Sequence, residues 1–141
     1  PSSSNSYIFF GGCIEAATNP CFNQFAGPVG GNQTVVGEGA TSLPVAVTLD
    51  AMVINGGVRV SQSGGDNSIT VTLYVNGAVS SPLVQCTGNF TNSSAVGTLM
   101  NTIVNWSGSF SVATTDVLSI KVTAGNIGGP VGDVSWSFHA H

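Results

Sequence analysis

Cations are almost absent from this chain: Arg59 and Lys121 are the two Lys or Arg residues among 141. Phosphate backbones are bound by clustered cations that displace condensed counterions, which two isolated side chains cannot do. Nucleic acid is therefore excluded as a partner, and the same argument disfavours sulfated polysaccharides and anionic membrane surfaces. Six carboxylates leave a net charge of −4, yet only 6% of residues are charged, far below the roughly 25% of an average soluble protein. Hydroxyls and amides must wet the surface. Such a surface repels its own copies weakly, so exposed apolar area on it favours an oligomer or a fixed place in a larger assembly.

Long apolar runs are missing too. Nothing approaches the ~20 residues of a spanning helix, and Pro1-Ser2-Ser3-Ser4-Asn5-Ser6 lacks the basic-then-apolar order of a signal peptide. The expectation is a soluble chain, mature or a fragment, with residues 1–6 as a flexible lead or stalk remnant and 7–141 as a single domain. Cysteine is scarce and odd in number: Cys13, Cys21 and Cys86. Cys13 and Cys21 are spaced to close a short disulfide loop, with Pro20 favouring a turn before closure. Three small buried thiols are the other reading, and both stay open. No common zinc spacing is present, and no cofactor is expected.

What the chain does have is alternation. Leu118, Ile120 and Val122 form one apolar face and Val134, Trp136 and Phe138 another, each set interleaved with polar residues, and this reads as the closing pair of an antiparallel sheet. Ile69, Val71, Leu73 and Val75 alternate with Thr70, Thr72 and Tyr74 before an Asn76-Gly77 turn. Val45, Val47 and Leu49 share one parity while Met52 and Ile54 share the other, so the pleat must be interrupted near Asp50-Ala51. Tyr7–Phe10, Thr34–Gly37, Leu83–Cys86, Gly97–Val104 and Ser109–Val112 supply shorter candidates. Gly11-Gly12 is read as ending the first of them, Asn55-Gly56 as a hairpin signal, and Cys13–Gly31 as an irregular stretch pinned by Phe22 and Phe25. With about eight to ten strands and no convincing amphipathic helix, the expected fold is all-β, an antiparallel β-sandwich of jelly-roll type or a barrel.

From Leu43 to His139, four segments in order carry a resemblance: Leu49-Asp50-Ala51-Met52-Val53-Ile54, Ile69 to Gly77, Asp116 to Thr123, and Asp133-Val134-Ser135-Trp136-Ser137-Phe138. Together they resemble a module of phage tail fibres, virion surface proteins and bacterial collagen-like surface proteins, including exosporium glycoprotein heads. The resemblance implies a jelly roll like the heads of complement C1q and tumour necrosis factor, a homotrimer without enzymatic activity. A capsid-decoration protein or fibre head on a virion surface is the first expectation. A carbohydrate-binding head of a bacterial collagen-like protein, extracellular or at the cell surface, is the alternative. Its expected partners are other virion or surface proteins and host-surface glycans.

Few residues suggest chemistry. His139 and His141, two apart on a strand, project to one face with Ser135 and Ser137, a spacing that suits metal ligation. The preferred reading is a polar strand end that frays. Trp106, flanked by Asn105 and Ser107, and Tyr74 are the candidates for stacking on a sugar ring, while Trp136 is assigned to the core. No Gly-x-Ser-x-Gly elbow occurs, and the histidines sit only at the C-terminus, so a hydrolase triad is not expected. The carboxylates are scattered, with Asp66 and Asp116 beside turns; a glycosidase pair would require two of them to meet in space. Sequons begin at Asn32, Asn89, Asn92 and Asn105 and mark candidate surface loops. Phe22 to Gly31, Gly64 to Asn67 and Gly125 to Gly132 are the loops expected to meet a partner.

Overall fold

Period-two burial organises the chain. Leu118, Ile120 and Val122 are buried, as are Ile69, Val71 and Leu73, and Val134, Trp136 and Phe138, so each segment has one face that must be covered. A computed structural model describes residues 5–13, 21–26, 40–59, 67–90, 99–124 and 131–141. Among them nine strands and no helix are found: β1 (Tyr7–Cys13), β2 (Cys21–Gln24), β3 (Val47–Arg59), β4 (Asn67–Val75), β5 (Ala78–Val79), β6 (Gln85–Phe90), β7 (Leu99–Val112), β8 (Leu118–Ala124) and β9 (Val131–Ala140). They form two antiparallel sheets. Sheet I has the order β1-β9-β3-β7; sheet II has the order β2-β8-β4, with both β5 and β6 on the far side of β4. The protein is an all-β sandwich.

The core lies between the inner faces. Leu49, Met52, Ile54 and Phe138 of sheet I meet Ile69, Val71, Leu73, Leu118 and Ile120 of sheet II in one continuous cluster. Burial of each such side chain stabilises the fold by about 1.5–3 kcal/mol. Phe25 sits at one end of this layer, fully buried, with ring centroids 4.7 Å from Phe138 and 5.4 Å from Phe9. Phe25 is thus anchored in the core as expected, whereas Phe22 is buried on the opposite face of sheet II, edge-on to Tyr74 and outside the core cluster. The expected inward-to-inward change of parity is also present. The expected interruption lies in β3, where the register with both β7 and β9 shifts between Leu49 and Ala51. That bulge lets Leu49 and Met52 both point inward.

Asn76-Gly77 makes the expected two-residue turn, with φ of 54° and 82° and Val75 facing Ala78 across it. Positive φ at both central positions is what a tight hairpin with the native twist requires, and glycine supplies it without steric cost.

Five expectations are corrected. The last two strands are not a pair in one sheet: β8 lies between β2 and β4, and β9 lies between β1 and β3. Their apolar faces meet across the core, an arrangement alternation alone cannot distinguish from neighbours in one sheet. Gly11-Gly12 does not end β1, which stays paired with β9 through Cys13. Asn55-Gly56 is no turn, because β3 is flanked on both sides and its pairing with β7 runs on to Arg59. Residues 99–112 form one strand where two had been expected. Within the stretch expected to be irregular, Cys21–Gln24 pairs with β8. The Thr34–Gly37 strand, residues 64–66 of one expected partner-facing loop, residues 125–130 of another and residues 27–31 of the third lie outside the described residues.

Candidate functional site

The outer face of sheet I carries the chemistry of interest. Register places Phe10, Ser137, Val53 and Asn105 in one row across β1, β9, β3 and β7, and Ile8, His139, Ala51 and Ser107 in the next. Three outward residues of the two edge strands are apolar and bare: Ile8 is 60% exposed, Phe10 65% and Ile103 69%. Val53 is also exposed, while Ser135 and Ser137 of β9 are small. A shallow cleft of about 240 Å³ results, lined by Phe10, Gly11, Val53, Asn55, Ser135 and Ser137 together with Trp136. Neighbouring strands are about 4.8 Å apart, so the side chains form one surface rather than isolated points.

At one end of this face the β3 bulge turns Asp50 outward, beneath the final residues of the chain. His139 Nδ1 lies 2.6 Å from Asp50 Oδ1 and His141 Nδ1 lies 2.8 Å from Asp50 Oδ2. One carboxylate thus holds both imidazoles, and His141 is further fixed by backbone hydrogen bonds in both directions with Thr48. His139 Nε2 is 3.3 Å from Ser6 Oγ. The Asp50 carboxyl is held below its ordinary value, chiefly by the hydrogen bond with His139 and then by that with His141. The side chains remain reachable, with His139 41%, His141 50% and Asp50 30% exposed. The two histidines expected to share a face do so, and they are held by Asp50, a residue to which the sequence assigns no contact with them. Among the described residues no three His, Cys, Asp or Glu side chains converge as a ready metal site.

Ser6, His139 and Asp50 also stand in the connectivity of nucleophile, base and orienting acid. Neither the cleft described above nor a second one of about 400 Å³, lined by residues including Thr48, Ser111, Asp116 and His141, includes Ser6 or His139. Asp116 is committed to structure. Its oxygens accept from Asn76 Nδ2 at 2.9 Å and Ala113 N–H at 2.8 Å. These bonds, led by that from Ala113, lower its carboxyl from the usual range.

The sugar-stacking candidates are kept apart. Trp106 is on edge strand β7 of sheet I, half-buried and packed against the core, with its ring over Gly108. Tyr74 is on sheet II, edge-on to Phe22 at 5.5 Å and with Lys121 Nζ 5.6 Å from its ring centre. Each ring already has a packing role. Trp136 is core as assigned, 2% exposed, and its indole N–H donates to the Phe25 carbonyl at 2.8 Å. Cys86 is a free buried thiol whose pKa burial pushes up to about 11. The side chains of Cys13 and Cys21, and with them the expected disulfide, lie outside the described residues.

The exposed Ile8, Phe10 and Ile103 were not singled out from sequence. For Ile8 and Phe10 the signal was the apolar residue at both parities of Tyr7-Ile8-Phe9-Phe10, which leaves a strand no polar face. No protein-family model matches the chain, and no curated protein matches it.

Proposed function

We propose that this chain is a non-enzymatic structural or adhesive module that acts as a homotrimer on a virion, fibre or cell surface, as a capsid-decoration protein or fibre head. The observation that carries the reading is the outer face of sheet I, where Ile8, Phe10, Val53 and Ile103 are exposed between serines and asparagines. A face so poor in charge does not repel a second copy of itself, and it gains by leaving water. Binding energy without bond chemistry is its mechanism: this sheet faces sister subunits, and the loops face the partner.

The finer architecture is a jelly roll. Setting aside the two-residue β5, eight strands lie in the orders β1-β9-β3-β7 and β2-β8-β4-β6. Rolling one long antiparallel hairpin so that successive strands alternate between two sheets, except at the β4–β6 end where both lie in sheet II, produces this order, which supports the reading. The virion or surface setting rests on the sequence resemblance.

Light scattering coupled to size exclusion tests the association. The wild type is expected at three times the chain mass at micromolar concentration, and Phe10→Ser combined with Ile103→Ser is expected to shift it to monomer with an unchanged far-ultraviolet spectrum. A wild-type monomer at that concentration rejects the proposal.

A further inference from the structure

Resting on the trimer reading above, we propose that the edge of sheet II docks on the outer face of sheet I of the next copy, with Leu83 entering the cleft between Phe10 and Val53. A closed ring of three identical chains is joined head to tail, so one patch on each copy must meet a different patch on its neighbour. The outer face of sheet I supplies the first patch. Outside it, the exposed large apolar side chains among the described residues are Val45, Val79, Leu83 and Val117, of which Leu83 is the barest at 52%.

A fixed protrusion presents Leu83. Both β5 and β6 pair with β4, and between them the chain leaves this edge as Ser81-Pro82-Leu83, all three exposed. Its two ends are pinned. Ser80 N–H donates to the Leu73 carbonyl and Leu73 N–H donates to the Val84 carbonyl, each at 3.0 Å, while Val84 N–H donates to Ser80 Oγ at 2.9 Å. Ser80 and Val84 are buried, so Leu83 stands in water on a base that is already ordered. A side chain fixed before contact loses little entropy on docking.

Position and charge fit the same partner. A knob on the outer face of sheet II would point away from sheet I and stack copies into an open column. At the edge, each contact turns the next copy instead, which is what a ring needs to close. Residues 78–85 carry no charge. Lys121 Nζ leans toward this edge, 3.4 Å from the hydroxyl of Tyr74, the residue that faces Val79 across β4 and β5. On the receiving face the carboxylate among the described side chains is Asp50, next to the row of Ile8 and Ala51. Docking edge on face therefore brings unlike charges toward each other, whereas sheet I against sheet I offers Asp50 no cation among the described side chains.

Size exclusion with light scattering tests the contact. Removing a buried leucine is expected to weaken each contact about 10-fold or more, so Leu83→Ser should run at one chain mass where the wild type runs at three, with an unchanged far-ultraviolet spectrum. A wild-type trimer that persists in Leu83→Ser overturns this inference and leaves the trimer reading standing; a wild-type monomer overturns both. Photocrosslinking locates the seat. Leu83→p-benzoylphenylalanine, irradiated in an excess of ¹⁵N-labelled wild type, is expected to give mixed-isotope crosslinks to β1, β9 or β3. Crosslinks only to other strands, only within one chain, or none at all overturn the proposal.

Discussion

The indole of Trp136 occupies the space that a side chain at residue 11 would need. The two residues face each other across β1 and β9, and a Cβ placed on Gly11 would lie 2.5 Å from Trp136 Nε1 and 2.8 Å from Cε2. The ring cannot retreat easily, because its N–H is bonded to the Phe25 carbonyl and it is 2% exposed. Gly11→Ala is therefore expected to destabilise the fold by about 1–3 kcal/mol through overpacking. Trp136→Phe should cost a further ~1–3 kcal/mol by leaving the Phe25 carbonyl unpaired. The pair must also couple: in a Trp136→Phe background the alanine penalty should shrink. Urea midpoints of the four proteins measure this, and strict additivity would contradict the geometry.

Asn76 ties two connections together. Its backbone takes the left-handed conformation, its amide donates to Asp116 Oδ1 at 2.9 Å, and its carbonyl oxygen accepts from Val117 N–H at 2.9 Å. Asn76→Ala removes both side-chain bonds and puts a Cβ-bearing residue with no compensating polar group at positive φ. The expected loss is about 1–2 kcal/mol, with Asn76→Gly milder because glycine accepts that φ. Equilibrium unfolding ranks the three proteins, and an alanine variant as stable as the glycine one would rule out the role of backbone conformation.

Acid should loosen the molecule through Asp50 and Asp116. Both folded pKa values are lowered, Asp50 mainly by His139 and Asp116 mainly by the Ala113 N–H. The unfolded chain then takes up these protons first as pH falls. Their stabilisation is present above the ordinary carboxylate value of about 3.9 and is lost as pH falls through the lower folded values. Stability measured from about pH 5 downward should decline for the wild type and decline less steeply for Asp50→Asn with Asp116→Asn. Equal slopes would show that neither carboxylate is linked to folding.

Sequence reading reached the inner half of this structure far better than the outer half. Leu118, Ile120, Val134, Trp136 and Phe138 declare their burial by alternation, and the parity change between Leu49 and Met52 places the bulge. Alternation says which side of a strand is covered but not which strand lies beside it, so β8 and β9 were assigned to one sheet. Asn55-Gly56 shows the limit of local turn chemistry: pairing on both sides of β3 overrides it. The Asp50–His139–His141 cluster was half visible. His139 and His141 share a face by spacing, whereas their contact with Asp50 spans 89 and 91 residues and depends on β3 lying beside β9.

The same cluster supplies the sharpest check on the proposed non-enzymatic reading. Ser6, His139 and Asp50 have triad connectivity, yet a working triad also needs donors aimed at the developing oxyanion and a site where substrate sits beside the serine. Ser6 is exposed, and neither described cleft includes it. Asp50 also divides its two oxygens between His139 and His141, so it is not dedicated to orienting one base. Hydrolysis of p-nitrophenyl acetate is therefore expected at the same slow rate in the wild type and in Ser6→Ala, with no burst. A burst of nitrophenol from the wild type that vanishes in Ser6→Ala would make the chain an acyl-transfer enzyme and end the non-enzymatic reading.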